Sequence, residues 1–446
     1  MNTNTRLRLH AGLPVALWIA AAGAPAVAAP PVYRVIAYMN DLDQPAGILQ
    51  GDAGVFYSEA GQSGPHVVLS ITPEGTKTTL ATVQSPDQIP SLLVSAANGR
   101  FYSTIEQGAH PAQVFSVSAE PGSQQIYSGQ RLHPILTQNL PDGDLLALAV
   151  APTESLWSLA KVDLQGNVTS FYQFPAAVRP GAAIYGSDGN YYGVAQATDA
   201  SSGYVYRVTP AGVLTKLYTF PEKTFSGYFA MPLVEAGDGN LYGAIPNGGA
   251  NGTGAIYKVT PGGQYTLLYS FPKGNLGGPT ALVEGSDGNL YGATLGAVRH
   301  EGYSQLFRIG KTGQYATVYD MKDVRKDGAC QCSLVLGSDG IIYGTAVGGG
   351  MQGGGLYFAL DAGLPKPRPR PLRFNPRTGA VGAKVTIWGY HLLSASVRFN
   401  GVAATAVSDS GSNYVVATVP AGAASGPISV TTRGGTVSTR ANFTVR

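Results

Sequence analysis

Histidine is scarce in this chain, with six in 446 residues. Three of the six, His66, His110 and His300, each follow an aromatic-bearing strand segment by eight or nine residues. That placement puts them in or beside equivalent loops. The chain's two cysteines, Cys330 and Cys332, flank a single glutamine. Imidazoles and thiolates converging on one point would hold zinc or copper. No metal-ligand spacing joins these residues, so the expectation is no metal and no cofactor, with a metal at the histidine loops as the alternative. For Cys330 and Cys332 a tight disulfide in an oxidising compartment is the expected state, against two free thiols that would open onto the same loop face.

Carboxylates offer a second chemistry. Glu235 and Glu284 occupy equivalent positions in successive repeats, and two carboxylates lining one channel could serve as general acid and base in a lyase or glycosidase. The same register elsewhere holds Gln50, Ser95, Asn139, Tyr185 and Leu336, which reads instead as a polar lining. Asp188, Asp238, Asp287 and Asp339 each precede a glycine, at Gly189, Gly239, Gly288 and Gly340. Calcium needs about six converging oxygens, whereas Asp-Gly is turn chemistry, and a turn is expected at each. Near the C-terminus Trp388 and Tyr390 could stack on a sugar, with one of the two expected in a core. No Gly-x-Ser-x-Gly, His-Glu-x-x-His or phosphate-cradling loop occurs.

The elements that must position these residues repeat along the chain. Turn glycines fall at Gly54, Gly99, Gly143, Gly189, Gly239, Gly288 and Gly340, 44 to 52 residues apart. Each unit reads as four short strands, a to d, with a tight Gly-bearing turn between a and b. A period of this length with four strands per unit is the signature of a β-propeller, here of seven blades. The seventh unit has no d strand before Pro365, whereas Val32–Met39 has the look of a d strand with no unit of its own. The N-terminal strand is therefore expected to complete the last blade and close the ring, removing two sheet edges.

The run Gly285-Ser-Asp-Gly-Asn-Leu-Tyr-Gly292, with Ile256-Tyr-Lys-Val-Thr-Pro-Gly-Gly263 and Leu267-Leu-Tyr-Ser-Phe271, resembles the GloVer (Gloeobacter–Verrucomicrobia) tandem repeat of bacterial exported proteins. The likeness is strong over 180–360 and weaker over 33–175. It implies a secreted or surface protein and carries no established enzymatic activity.

A segment alternating proline with cations, Pro365-Lys-Pro-Arg-Pro-Arg-Pro371, favours extended geometry and marks a linker over 363–371. Short alternating strands follow, among them Val385-Thr-Ile-Trp-Gly-Tyr390 and Gly426-Pro-Ile-Ser-Val430, at the spacing of a sandwich. Their order resembles the IPT/TIG immunoglobulin-like domain over 372–446, which implies protein or carbohydrate contact or a spacer role. From Pro365 onward there are ten Lys/Arg and one acidic residue, against seventeen and twenty-five in 29–364. A basic sandwich beside an acidic propeller predicts either mutual docking or attraction to an anionic surface or polysaccharide.

Residues 1–28 combine a basic start, an apolar stretch and Ala26-Val27-Ala28. That is the pattern of a secretory signal peptide, placing the propeller at 29–362 of an exported, periplasmic, extracellular or surface chain with no transmembrane segment. Charged residues make up only 12% and hydrophobic ones 44%, which excludes an unfolded chain. Export without a recognition motif argues against nucleic acid. The expectation is an all-β binding protein for a cell-surface protein, a glycan or an anionic envelope polymer. The alternative is a secreted propeller enzyme acting on polysaccharide through the channel carboxylates or loop histidines.

Overall fold

The computed structural model describes residues 30–446 apart from 41–43, 52–53, 62–65, 84–92, 97, 108–109, 120–121, 130–131, 152–155, 200–202, 222–230, 274–275, 297–303, 331–332 and 409–412. Short strands rich in valine, tyrosine and alanine alternate with glycine turns, and the result among the described residues is nearly all β, with one single-turn helix, Val324–Asp327. Ahead of residue 362 the strands form seven antiparallel sheets in sequence order. Numbered as blades, the first is Pro45–Gln50, Phe56–Ala60, His66–Ile71 and Lys77–Val83. The fifth is Val234–Glu235, Leu241–Ile245, Ala255–Val259 and Tyr265–Ser270.

The seventh sheet shows how the ring closes. Leu334–Leu336, Ile342–Ala346 and Leu356–Asp361 supply its first three strands, and Val32–Tyr38 is the fourth, paired antiparallel with Val32 opposite Asp361. Backbones meet closely at this junction. A Cβ added to Gly354 would lie 1.6 Å from the Asn40 carbonyl oxygen, so only glycine fits there.

Alternation along each strand sends its apolar side chains to both faces of a blade, because both faces are covered by neighbours. Consecutive blades therefore share a core. Tyr57 of blade 1 stacks on Phe101 of blade 2 at 4.0 Å, and Phe56 meets Tyr343 of blade 7 at 4.1 Å across the closure. On the outer strands Tyr218–Tyr265, Tyr269–Tyr315 and Tyr319–Tyr33 stack nearly parallel, with centroids 3.9 to 4.3 Å apart, each pair joining one blade to the next. The turn between the third and fourth strands adds a seam. Gly212 has φ +77°, and a Cβ there would come within 2.4 Å of the Phe171 carbonyl oxygen of the preceding blade. Gly75, Gly166, Gly263 and Gly313 abut Ile36, Ile126, Leu217 and Leu268 in the same way.

The C-terminal domain is a two-sheet sandwich. Phe374, Val385, Ile387, Val415, Ile428, Val430 and Phe443 fill its core. Its first strand, Arg370–Asn375, begins within the expected linker. Pro367 and Pro369 are buried, so this stretch lies against folded structure instead of standing free as a spacer.

Candidate functional site

The a–b turns build one end of the propeller, and their chemistry comes from a repeated Asp-Gly-Asn-x-Tyr sequence, with Ile in place of Asn in the last copy. Asp238 Oδ1 accepts the Asn240 N–H at 3.1 Å, while Oδ2 accepts from Asn240 Nδ2 at 3.0 Å and from the Tyr242 hydroxyl at 2.7 Å. Asp188 and Asp287 make the same three bonds. Asp339 keeps the bonds from the Ile341 N–H and the Tyr343 hydroxyl. Hydrogen bonds from these neighbours hold the Asp188 and Asp238 carboxyls below their ordinary range, although partial burial pushes the other way. Burial, with the aspartate beside it, pushes the Tyr242 and Tyr192 hydroxyls well above theirs. The following glycines, Gly189, Gly239, Gly288 and Gly340, have φ between +78° and +93°, as do Gly54, Gly99 and Gly143 in the earlier blades with φ from +79° to +97°.

Glu235 and Glu284 end the innermost strands of blades 5 and 6. Each reaches into the turn of the preceding blade. Glu235 Oε2 accepts the Ser187 N–H at 2.9 Å, and Oε1 accepts the Ser187 hydroxyl. Glu284 Oε2 accepts the Gly237 N–H at 2.7 Å, and Oε1 takes the Lys311 ammonium at 2.7 Å. Lys311 also lies 3.7 Å from Asp238. Gln50 does the same for blade 7, its Oε1 accepting the Ser338 N–H at 2.9 Å. These side chains stitch one blade's turn to the next blade's inner strand. Blade 7 carries Leu336 at this register, and there the blade 6 serine, Ser286, donates its hydroxyl to the Pro365 carbonyl of the linker.

The sandwich docks on this end. Arg373 donates to the Tyr185 hydroxyl and, at 3.2 Å each, to the carbonyls of Gly186 and Ser187, with its guanidinium 4.5 Å above the Tyr185 ring. Arg370 lies 3.6 Å from Glu235 Oε1 and also donates to the Glu235 carbonyl at 3.4 Å. The planar fork of arginine suits this mixed carboxylate, carbonyl and ring surface. Of the two modes predicted by the charge asymmetry, docking is present within the chain. Behind Arg370, burial and then the charge of Glu235 push the Tyr390 hydroxyl up to about 12. Burial, then the neighbouring Arg370 charge, pulls the His391 imidazole down to about 4, so His391 is neutral near pH 7.

Between the two domains lies a cleft of about 1020 Å³. Its propeller wall is the inner strands of blades 3 to 6 with their turns, from Thr137 to Gly288. Its opposite wall is the linker from Pro367 to Leu372 and, on the sandwich, Tyr390, His391, Ser438 and Arg440. Gly434 lets the linker lie against the sandwich, since a Cβ there would sit 1.9 Å from the Pro367 carbonyl oxygen. The cleft presents hydroxyls, turn amides, guanidinium groups and one tyrosine ring. It offers many directional hydrogen bonds, while both of its candidate acid–base carboxylates already hold partners.

Of the residues singled out by sequence, Glu235, Glu284, Tyr390 and the turn residues Asp238, Gly239 and Gly288 come together at this cleft. The loop histidines do not join them. His66 is buried, 2% exposed, at the start of the third strand of blade 1, and His110 opens the third strand of blade 2, both at the other end of the blades. His300 and Cys332 lie outside the described residues. No group of three metal-ligating side chains occurs among the described residues. Cys330 is disulfide-bonded, the expected state, but it does not open onto a loop face: it is fully buried in the core between blades 6 and 7, its N–H held by Ser304 Oγ at 2.9 Å. Of the two aromatics Trp388 is the one in a core, 8% exposed, which closes its face to a stacking sugar, whereas Tyr390 borders the cleft. Sequence reasoning missed Arg370, Arg373 and Lys311. The concentration of arginines after Pro365 was the signal for the first two.

Residues 157–363 match the Gloeobacter/Verrucomicrobia repeat and residues 369–445 the IPT/TIG domain. Among curated proteins none matches the chain. Similar solved structures include a streptogramin B lyase, 17% identical with a TM-score of 0.56, covering 75% of this chain and 98% of that one. Another is a catalytically inactive virginiamycin B lyase from Staphylococcus aureus with quinupristin, 15% identical with a TM-score of 0.53, covering 74% and 99%. A fungal alcohol oxidase in complex with copper is 13% identical with a TM-score of 0.50, covering 94% and 99%. At such identities the likeness speaks to fold alone. The chain thus carries the Gloeobacter/Verrucomicrobia repeat on a β-propeller frame and ends in an IPT/TIG domain of immunoglobulin-like fold.

Proposed function

We propose that this chain is an exported, non-catalytic binding protein that holds a carbohydrate in the cleft between the propeller turns and the IPT/TIG domain. The observation that carries the reading is the state of the two carboxylates. Glu235 and Glu284 are placed where an acid–base pair would sit, yet each spends its oxygens on a turn N–H, and Arg370 and Lys311 hold their charge. A catalytic acid or base must aim its carboxyl at substrate. Here both carboxylates are turned onto the protein's own turn and cations, and the polar wall that remains suits sugar hydroxyls. The cleft volume of about 1020 Å³ is at the upper end of small-ligand sites and fits a short oligosaccharide better than a flat protein epitope.

The test is a glycan binding screen of the full chain run beside an assay for chain cleavage on the same polysaccharides. Binding without new reducing ends or unsaturated products is expected. Turnover that Glu235→Gln or Glu284→Gln abolishes would overturn the non-catalytic reading and favour a polysaccharide lyase or hydrolase.

A further inference from the structure

The two walls of the cleft treat charge differently. On the propeller wall every carboxylate that lines it has a cation: Arg370 lies beside Glu235, and Lys311 lies between Asp238 and Glu284. On the sandwich side two further guanidinium groups line the same cleft, those of Arg368 and Arg440. Both residues are exposed, and neither guanidinium has an ion pair or hydrogen bond to any of the described residues. Arg368 stands on the linker where it crosses the glycine hairpin of the sandwich, close to Gly435, and Arg440 stands on the strand Gly435–Val445 leaving that hairpin. His391, neutral near pH 7, and the hydroxyl of Ser438 lie on the same wall.

Guanidinium groups left without a partner on the rim of an otherwise charge-balanced cleft are the arrangement that receives planar anions. Each can engage a carboxylate through two parallel N–H donors, stronger and more directional than a lysine contact. The remaining walls offer what the rest of a sugar ring requires, namely hydroxyls, turn amides and one tyrosine ring. We infer that the cleft takes an acidic polysaccharide, a uronate-bearing chain, with Arg368 and Arg440 as its carboxylate-reading residues. This inference rests on the carbohydrate reading above and adds the substrate class and the residues that select it.

The experiment titrates the full chain with polygalacturonate and alginate, with their carboxyl-esterified forms, and with a neutral glucan of matched length. It is run at about 50 and about 500 mM salt, since rim charges are screened at the higher value. Wild type should bind the acids and lose roughly tenfold or more on esterification or at high salt. Arg368→Gln and Arg440→Gln should each weaken binding of the acids by about tenfold, in keeping with loss of one charge-assisted contact. Both sites are exposed, so the thermal melt of each variant should match wild type. The double variant should bind the acids no better than their esters. Equal binding of acid and ester would overturn the uronate inference and leave the carbohydrate reading standing. Acid binding unchanged in the double variant would overturn the assignment to these two arginines. Failure of every glycan to bind would overturn both readings.

Discussion

Glu59 is a carboxyl buried between two blades. It sits on the second strand of blade 1, 2% exposed, facing blade 2. Burial raises its carboxyl from an ordinary 4.5 to about 8, and the nearby Ser103 of blade 2 offsets only part of that. A carboxyl buried among apolar strands is held neutral because the charged form loses its hydration. The unfolded chain ionises near 4.5 and the folded chain only near 8, so unfolding releases a proton in between. Stability from this group is therefore complete below pH 4.5 and declines as pH rises to 8. At about 1.4 kcal/mol per pH unit, the loss is about 3 kcal/mol by pH 7 and about 5 kcal/mol by pH 8. Glu59→Gln keeps the shape and removes the titration. Urea unfolding at several pH values between 5 and 8 should show wild type losing stability with pH and the variant showing a shallower slope. The difference in slope is the decisive quantity, because the glutamine amide has its own burial cost. Identical slopes, or a wild type that gains stability with pH relative to the variant, would rule out a carboxyl held neutral by burial at Glu59.

Three further outcomes follow from the packing. Deleting Val32–Met39 strips the partner from Leu356–Asp361 and should lower the melting temperature markedly and promote self-association through the exposed edge, read by calorimetry and light scattering. Tyr242→Phe removes the hydroxyl that Asp238 accepts at 2.7 Å and should cost roughly 1 kcal/mol in chemical denaturation. Arg373→Ala removes the contacts to Tyr185, Gly186 and Ser187, so limited proteolysis should cut near residues 363–371 faster while both domains stay folded.

Much of the frame was legible because the repeat announces itself locally. A turn glycine needs positive φ wherever the hairpin occurs, so Gly189, Gly239 and Gly288 mark their blades without reference to anything distant. Ring closure was legible by subtraction, since one unit lacked a strand that the N-terminus had to spare. The role of Glu235 was not. Its partner is the turn of the preceding blade, 48 residues away, and only the angle between neighbouring blades brings the two together. A hint lay in the register itself, where Gln50 makes the same bond and Leu336 cannot. Arg373 and Tyr185 are 188 residues apart, and docking of two separate domains leaves no periodic trace, only the charge imbalance between them. The disulfide state of Cys330 was legible, but its burial was not, because a place near a loop says nothing about a side chain that turns inward to the seam between blades 6 and 7.

We propose that ligand sits between the propeller's a–b turns and the IPT/TIG domain. The most direct measurement is a crystal structure of the full chain with the tightest-binding oligosaccharide. Sugar density is expected in the cleft, against Tyr390 and within reach of Arg368 and Arg440. Density at the opposite end of the blades, near His66 and His110, with the cleft empty, would contradict it.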